Sequence, residues 1–334
     1  MEKNERTKKL RQRIMLLGAL LFVVTIISIL GGAVRLTFSD FAETFLTGGL
    51  TKAGRILLYV RLPRVAGGII AGMALAVSGA VIQTVLNNPL AGPNIIGVNA
   101  GSGFAVVLCG ALFPAAYAAL PLVAFAGAFV TVLFVYYLGK KTGSSKITLV
   151  LAGVAINSLL NGASDVVYTV SESSLVASSA FKIGGLQGVT MQVLNYAGIV
   201  VFFSFLLVML LHNELEVLSL GEEQARALGL SVSVYRFLFL ALAAALAGAA
   251  VSFAGLLGFI GLIVPHIARM LVGGECIYLL PASALLGAAL LTACDYIART
   301  WFAPYELPVG ILLSVLGAPF FLWLLCRKKG GNHA

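Results

Sequence analysis

Residues 193–211 read VLNYAGIVVFFSFLLVMLL and contain no charged side chain. An apolar helix of about 20 residues is long enough to cross the roughly 30 Å hydrocarbon core of a bilayer. Similar runs recur along the chain, whose 334 residues are 60% hydrophobic and only 10% charged, whereas soluble domains carry about 25% charged residues. The runs are continuous rather than alternating. The sequence therefore predicts an all-α integral membrane protein and not a β-barrel.

Ten stretches are long and apolar enough to be predicted as transmembrane helices: 14–34, 65–86, 95–113, 115–138, 147–168, 193–211, 235–254, 256–273, 277–298 and 307–326. The weakest are 95–113, which contains Asn99 and several glycines, and 256–273, which contains Pro265 and His266. Either of these two can be a short or broken helix. Five spans lie on each side of the hydrophilic segment 212–236, which suggests two five-helix halves with inverted orientation.

The distribution of Lys and Arg predicts the orientation in the membrane. An even number of spans places both termini on one side, and fifteen of the 22 basic residues then fall on that side. Basic residues collect on the cytoplasmic side of membrane proteins. We therefore expect a single transmembrane domain, 1–334, whose N-terminal tail (1–13), segment 212–236 and C-terminal tail (327–334) are cytoplasmic.

Several classes of function lack support in the sequence. There is no GxxxxGK[ST] loop for ATP, no HExxH or GxSxG motif of a hydrolase, and no cysteine spacing typical of a metal site. The net charge of +9 is explained by topology, so no nucleic-acid partner is expected. No cofactor is expected either. Asp295 lies one helical turn before Arg299 and is interpreted as a self-neutralised pair. Because ion-coupling groups are scarce, we expect energy to come from another subunit.

One polar stripe runs along the fifth predicted span. Asn157, Asn161, Ser164 and Tyr168 recur at helical spacing on one face. Such a stripe must face protein or water within a bilayer. Two interpretations remain open, namely hydrogen bonds between helices and the wall of a translocation pathway.

The segment 212–236 has a helical signature of its own outside the membrane. Ser219 and Glu222 match the S-x-x-E capping box, and Gly229 suits the left-handed conformation that ends a helix. The pattern predicts a helix of about two turns, with Ala225 and Leu228 on one apolar face. It is either an ordinary capped loop helix or a lever on which another subunit pushes.

Five segments in a fixed order resemble one family, the FecCD/vitamin B12-type permeases of iron-siderophore, haem and cobalamin ABC importers. The resemblance covers residues from about 55 to 327. The segments are RLPR at 61–64 leading to SGAVIQ at 78–83, NPLAGPNIIG at 88–97, GEEQARALG at 221–229, GFIGLIVPHIAR at 258–269, and ELPVG at 306–310 with GAP at 317–319.

The resemblance implies the large-permease (type II) importer fold and a set of partners in the cell membrane. These are a second copy or a close paralogue, two ABC ATPase subunits, an extracytoplasmic binding protein and membrane lipid. The implied coupling residues are Glu222, Glu223, Ala225, Arg226, Leu228 and Gly229. The implied docking residues are Arg61, Arg64 and Arg299, for which interfacial snorkelling is the alternative. The implied cytoplasmic gate is formed by Thr142, Gly143, Ser144 and Ser145.

The cargo and the energy source are the most open points of this interpretation. An iron(III)-siderophore or related metal chelate is the first choice, and haem and cobalamin are the alternatives. A proton-coupled secondary transporter would work without an ATPase, and an intramembrane enzyme would show turnover alone.

Overall fold

A computed structural model describes residues 2–32, 43–44, 46, 51–142, 146–302 and 305–329. Its main elements are helices: α1 (Glu2–Leu30), α2 (Lys52–Leu86, with a π-helical turn at Leu57–Arg61), α3 (Val98–Leu112), α4 (Leu120–Lys141), α5 (Lys146–Val170), α6 (Glu172–Ile183), α7 (Met191–Leu210), α8 (His212–Ser219), α9 (Glu222–Ala227), α10 (Val232–Ala254), α11 (Ile260–Val272), α12 (Cys276–Thr300) and α13 (Val309–Lys329). The described ranges contain no β-strand. The predicted all-α fold is confirmed.

Each of the ten predicted spans coincides with a helix, but not all of these helices are long. Among the described residues, α1, α2, α4, α5, α7, α10 and α12 are long and apolar enough to cross a membrane. The apolar parts of α3, α11 and α13 are shorter. The first two correspond to the two weakest predicted spans. The total of ten spans remains a prediction, and α1 extends through most of the predicted N-terminal tail.

The two short internal helices begin at residues with left-handed backbone. Gly97, with φ 98°, precedes α3, and Phe259, with φ 65°, precedes α11. Left-handed backbone is easy for glycine but costly for phenylalanine. The chain therefore changes direction before each helix starts. The segment before α3 meets the first turn of α11, because the ring of Pro93 lies against Gly261.

Helices α2 and α10 form the centre of the bundle. Within their apolar windows, 78% and 72% of residues are buried inside the chain, against 11% for α1. Helix α2 packs most closely on α12 and α10, and α10 packs on α2 and α4. If the two halves are repeats, α2 corresponds to α10 and α4 to α12. The contact of α2 with α12 then corresponds to the contact of α10 with α4, as the predicted inverted repeat would produce. The repeat itself remains a prediction.

Glycines allow the central helices to touch through their backbones. A Cβ atom on Gly72 of α2 would clash with the carbonyl oxygen of Gly287 on α12, and one on Gly79 would clash with that of Gly261 on α11. Small residues at such crossings allow close helix packing inside a membrane. These contacts hold α2 close to α11 and α12, which both belong to the second half of the chain.

Candidate functional site

A network of charged side chains lies at the end of the bundle that the topology prediction places outside. The Nε atom of Arg64 on α2 donates to both carboxylate oxygens of Asp295 on α12, at 3.1 and 3.0 Å, and its Nη1 atom donates to Glu306 at 2.7 Å. Asp295 lies 3.6 Å from the Nε atom of Arg299. Asp295 is only 2% exposed. The predicted Asp295–Arg299 pair is therefore real but secondary, because Arg64 is the closer partner.

Two arginines at this end of the bundle contact the last turn of α1. Arg61 donates to the carbonyl oxygens of Ile29 and Leu30, at 2.6 and 2.7 Å. Arg299 donates to Ser28 and, at 3.2 Å, to the carbonyl oxygen of Gly31. Carbonyl groups at a helix C-terminus lack partners within the helix and attract cations. Both arginines therefore cap α1 from neighbouring helices.

The three predicted docking arginines are buried in the structure. Arg61, Arg64 and Arg299 are 4%, 7% and 6% exposed, so their guanidinium groups contact protein rather than snorkel to the membrane interface. The more accessible member of the network is Glu306, whose side chain is 46% exposed and also accepts from Gln187 at 3.2 Å. A partner that docks here meets a neutralised network rather than free cations, and the docking role remains a prediction.

The segment 212–236, which is predicted to be cytoplasmic, contains two short helices before α10 rather than one. Ser219 ends α8, and its hydroxyl donates to the carbonyl oxygen of Glu216 at 2.6 Å. Gly221, with φ 112°, precedes α9. The predicted capping box from Ser219 to Glu222 is therefore wrong, because the serine belongs to the preceding helix. Gly229, with φ 82°, has the expected left-handed backbone just after α9.

Helix α9 presents one face to the bundle and another to solvent. Ala225 is fully buried and Leu228 is 65% exposed. The prediction that these two form one exposed apolar face is wrong for Ala225, because α9 ends at Ala227 and the chain has left the helical path at Leu228. Glu223 and Arg226 are exposed. Of the predicted coupling residues, Glu223, Arg226, Leu228 and Gly229 are thus exposed.

Glu222 faces inward on the same segment. One carboxylate oxygen accepts from Arg226 at 2.6 Å, and the other accepts at 2.7 Å from Arg236 of α10, which is 6% exposed. The hydrogen bond from Arg236 holds the pKa of Glu222 below its ordinary value. A lowered folded-state pKa means that this ion pair contributes above the ordinary pKa and is lost only as pH falls through the lowered value.

The predicted polar stripe on α5 divides into two sets. Asn157 donates to the carbonyl oxygen of Asn94 at 2.8 Å, and the buried Ser164 donates to Leu160 within its own helix at 2.8 Å. The hydroxyl of Tyr168 accepts from Ser178 at 3.0 Å. Asn161, in contrast, is exposed on the protomer. Three of the four side chains therefore have partners inside the chain.

The predicted gate lies between α4 and α5. Thr142 follows α4, and its hydroxyl donates to the carbonyl oxygen of Leu138 at 2.8 Å. Gly143, Ser144 and Ser145 lie outside the described residues.

Three polar residues at these sites were not recognised from sequence. Glu306 lies in the quoted ELPVG motif, but its partner Arg64 is 242 positions away. Arg236 lies at the end of segment 212–236, fourteen positions from its partner Glu222. Arg269 of α11 donates to the side chain of Gln83 on α2, and the two residues lie in separate quoted segments, 258–269 and 78–83. Long-range pairs of this kind leave no local pattern.

The comparisons with known proteins agree along most of the chain. The family model of the FecCD transport family matches residues 20–327. The Fe(3+)-citrate import system permease protein YfmE of Bacillus subtilis (strain 168) is 36% identical over 313 residues, which cover 93% of this chain and 94% of that protein. The hemin transport system permease protein HmuU of Yersinia pestis is 36% identical over 327 residues, covering 94% and 96%.

A solved structure shares the fold. It shows a metal-chelate type ABC transporter in an inward-facing conformation, with a TM-score of 0.85, 28% sequence identity, and coverage of 95% of this chain and 99% of the solved chain. The fold thus matches a metal-chelate ABC permease. Sequence and fold together show that this multi-pass membrane chain belongs to the FecCD transport family and is a permease component of an ABC importer.

Proposed function

We propose that the chain forms the transmembrane pathway of an importer for an iron(III) chelate, driven by a separate ATPase. The observation that carries this proposal is the match of family and fold over nearly the whole length. The sequence lacks a Walker A loop, and a permease without its own ATP site needs an ATPase partner. Two ABC ATPase subunits would bind beneath the bundle, with both chain termini on the same cytoplasmic side.

The pathway is proposed to run along α5 at a boundary between two protomers. Asn161 lies within the membrane helix α5 and is exposed on the isolated protomer. An amide in contact with hydrocarbon is costly, so it must face protein or water. A second copy of the chain, with water between the two α5 helices, supplies that environment. Asn157, Ser164 and Tyr168 would then stabilise the wall of the pathway rather than touch the cargo.

Contact with the ATPase is proposed through the exposed surface of α9 and the residue that follows it. Leu228 supplies the apolar centre of this contact, and Glu223 and Arg226 supply its polar rim. Apolar groups that insert into a partner's groove commonly dominate such contacts. Gly229 provides the turn that leaves Leu228 exposed. Motion of this surface would open or close the proposed gate, 142–145.

An extracytoplasmic binding protein is proposed to dock on the outer network. Glu306 is accessible there, and Arg64 lies directly behind it. An acidic side chain of the binding protein would compete with Glu306 for Arg64, while Arg61 and Arg299 keep α1 in place. Charge complementarity of this kind chiefly sets specificity and association rate.

The proposed cargo is a ferric chelate, with haem as the second candidate. Both are supported by the named relatives, one of which imports Fe(3+)-citrate and the other hemin. The test is growth of a strain that lacks this gene on ferric citrate, on a hydroxamate siderophore complex, or on hemin as the only iron source. Loss of growth on one source, restored by the gene, identifies the cargo. Unchanged growth and uptake on all three sources would refute an iron-chelate cargo.

A further inference from the structure

The inner ends of four helices meet at one small cavity of about 50 Å³. The cavity lies where α4, α5, α9 and α10 approach each other. Its lining comprises Tyr136, Gly139, Lys140, Leu149, Glu222, Arg226, Ser233 and Arg236. We call this group the inner junction. It joins the proposed ATPase contact to both helices that flank the proposed gate.

The first link of the inner junction connects α9 to α10. Glu222 accepts a hydrogen bond at 2.7 Å from Arg236, whose side chain is 7% exposed. The charged groups facing Glu222 are Arg226, Arg236 and Lys146, which is the first residue of α5. Displacing the Glu222 carboxylate from these three cations would be energetically costly, because the buried Arg236 would lose this partner.

Two further links continue from α10 to the gate helices. The hydroxyl of Tyr136 on α4 donates to the carbonyl oxygen of Ser233 on α10 at 2.9 Å. Gly139 of α4 lies against Leu149 of α5, since a Cβ atom at Gly139 would be 3.4 Å from the Leu149 Cα atom. Helix α4 ends at Lys141 and α5 begins at Lys146, so these contacts lie within a few residues of the proposed gate.

Helix α9 has few other attachments among the described residues. It packs on α8 and α10, and Ala225 is its buried residue. Its two ends are flanked by Gly221 and Gly229, both in left-handed conformation. Glycines of this kind allow backbone rotation at little steric cost. The helix is therefore a short lever whose ionic attachment to the bundle is the Glu222–Arg236 pair.

We propose that Glu222 is a positioning residue that transmits displacement of α9 through Arg236 and the inner junction to the ends of α4 and α5. This proposal rests on the proposed function, because it requires an ATPase that moves α9. It assigns to Glu222 a role inside the permease rather than in the contact with the ATPase. Leu228 then serves binding of the ATPase, and Glu222 serves transmission of its movement to α4 and α5. The two roles can be tested separately.

The test measures transmission directly in the assembled complex. A spin label at Ile147→Cys, which is 73% exposed at the inner end of α5, reports the distance between the two protomers in a background without the native cysteines. The complex with its own ATPase subunits is measured in liposomes with and without a non-hydrolysable ATP analogue. Co-purification of the ATPase is recorded for the same variants, together with ATP-driven uptake of hemin and of ferric citrate in the presence of the binding protein.

Glu222→Gln is expected to retain the ATPase but to lose most of the nucleotide-dependent distance change. Transport per ATP hydrolysed should fall by about tenfold or more, since a hydrogen bond to a charged group contributes at least that factor to an equilibrium. Glu222→Asp, which keeps the charge, should restore part of the change. The matched control is Glu275→Gln, which removes another cytoplasmic ion pair, 2.9 Å from Arg6 and largely exposed. It should behave as wild type.

The outcomes distinguish failure of the role proposed for Glu222 from failure of the proposed import function. A full distance change in Glu222→Gln, or an equal loss in Glu275→Gln, would overturn the role of Glu222. Failure of Glu222→Asp to recover any of the change would also count against a charge-based link. If the wild-type permease binds no ATPase, the proposed function itself is overturned.

Discussion

Replacing Asp295 by Asn tests whether the charged network around Asp295 stabilises the helix bundle. The substitution keeps the shape of the side chain and removes the charge that lies between Arg64 and Arg299. Asp295 is 2% exposed, and removing one partner of a buried ion pair costs about 3–5 kcal/mol. Because Asn can still accept one hydrogen bond from Arg64, we expect a loss near the lower end, about 3 kcal/mol.

The matched control for this substitution is Glu306→Gln. The Glu306 side chain contacts the same Arg64 at 2.7 Å but is 46% exposed, and exposed ion pairs contribute only about 0–1 kcal/mol. The assay is thermal unfolding of the purified permease in detergent, followed by loss of the monodisperse peak. Asp295→Asn should lower the midpoint by about 5 °C or more, and Glu306→Gln should lower it far less. Equal unfolding midpoints for the two variants would refute the claim that the buried Arg64–Asp295 pair stabilises the bundle more than the exposed Arg64–Glu306 pair.

Four further predictions concern the other sites. Leu228→Asp should abolish co-purification of the ATPase, since it removes about 1.5–3 kcal/mol of apolar burial; membrane insertion should be unaffected, and wild-type binding would exclude this contact. Asn161→Cys should react with a small hydrophilic thiol reagent while Ile156→Cys, on a buried face, is protected; equal protection would argue against a water-filled pathway. Gly79→Val should destabilise the bundle by about 1–3 kcal/mol or more, because its side chain would meet the backbone of α11; an unchanged unfolding midpoint would contradict the packing. Ser231→Cys should be protected from an impermeant reagent added outside intact cells, and labelling there would reverse the topology.

Apolar blocks made the helical membrane fold predictable from sequence. A run such as 193–211 permits few other structures, because unpaired backbone groups are too costly in hydrocarbon. The short lengths of α3 and α11 were less visible. A left-handed Gly97 is compatible with its residue type, but nothing local predicts φ 65° at Phe259, whose ring lies against Gly317 of α13.

The charged sites show more clearly which contacts cannot be predicted from the sequence. Arg299 and Asp295 are four residues apart, so their pairing was visible, whereas Arg64 and Asp295 are separated by 231 positions. Similarly, the S-x-x-E pattern at Ser219 was misleading, because it lies across the boundary between α8 and α9. A local motif cannot show whether its first residue ends one helix or caps the next. Sequence therefore predicted which segments carry the polar side chains but not which partners those side chains contact.

ATP-dependent uptake by proteoliposomes tests the central claim most directly. The permease is reconstituted with its ATPase subunits and binding protein, and accumulation of hemin and of ferric citrate is followed with ATP inside or with a proton gradient alone. The account predicts accumulation of one of these chelates that requires ATP, the ATPase and the binding protein together. Accumulation driven by the proton gradient without the ATPase would contradict it and indicate a secondary transporter.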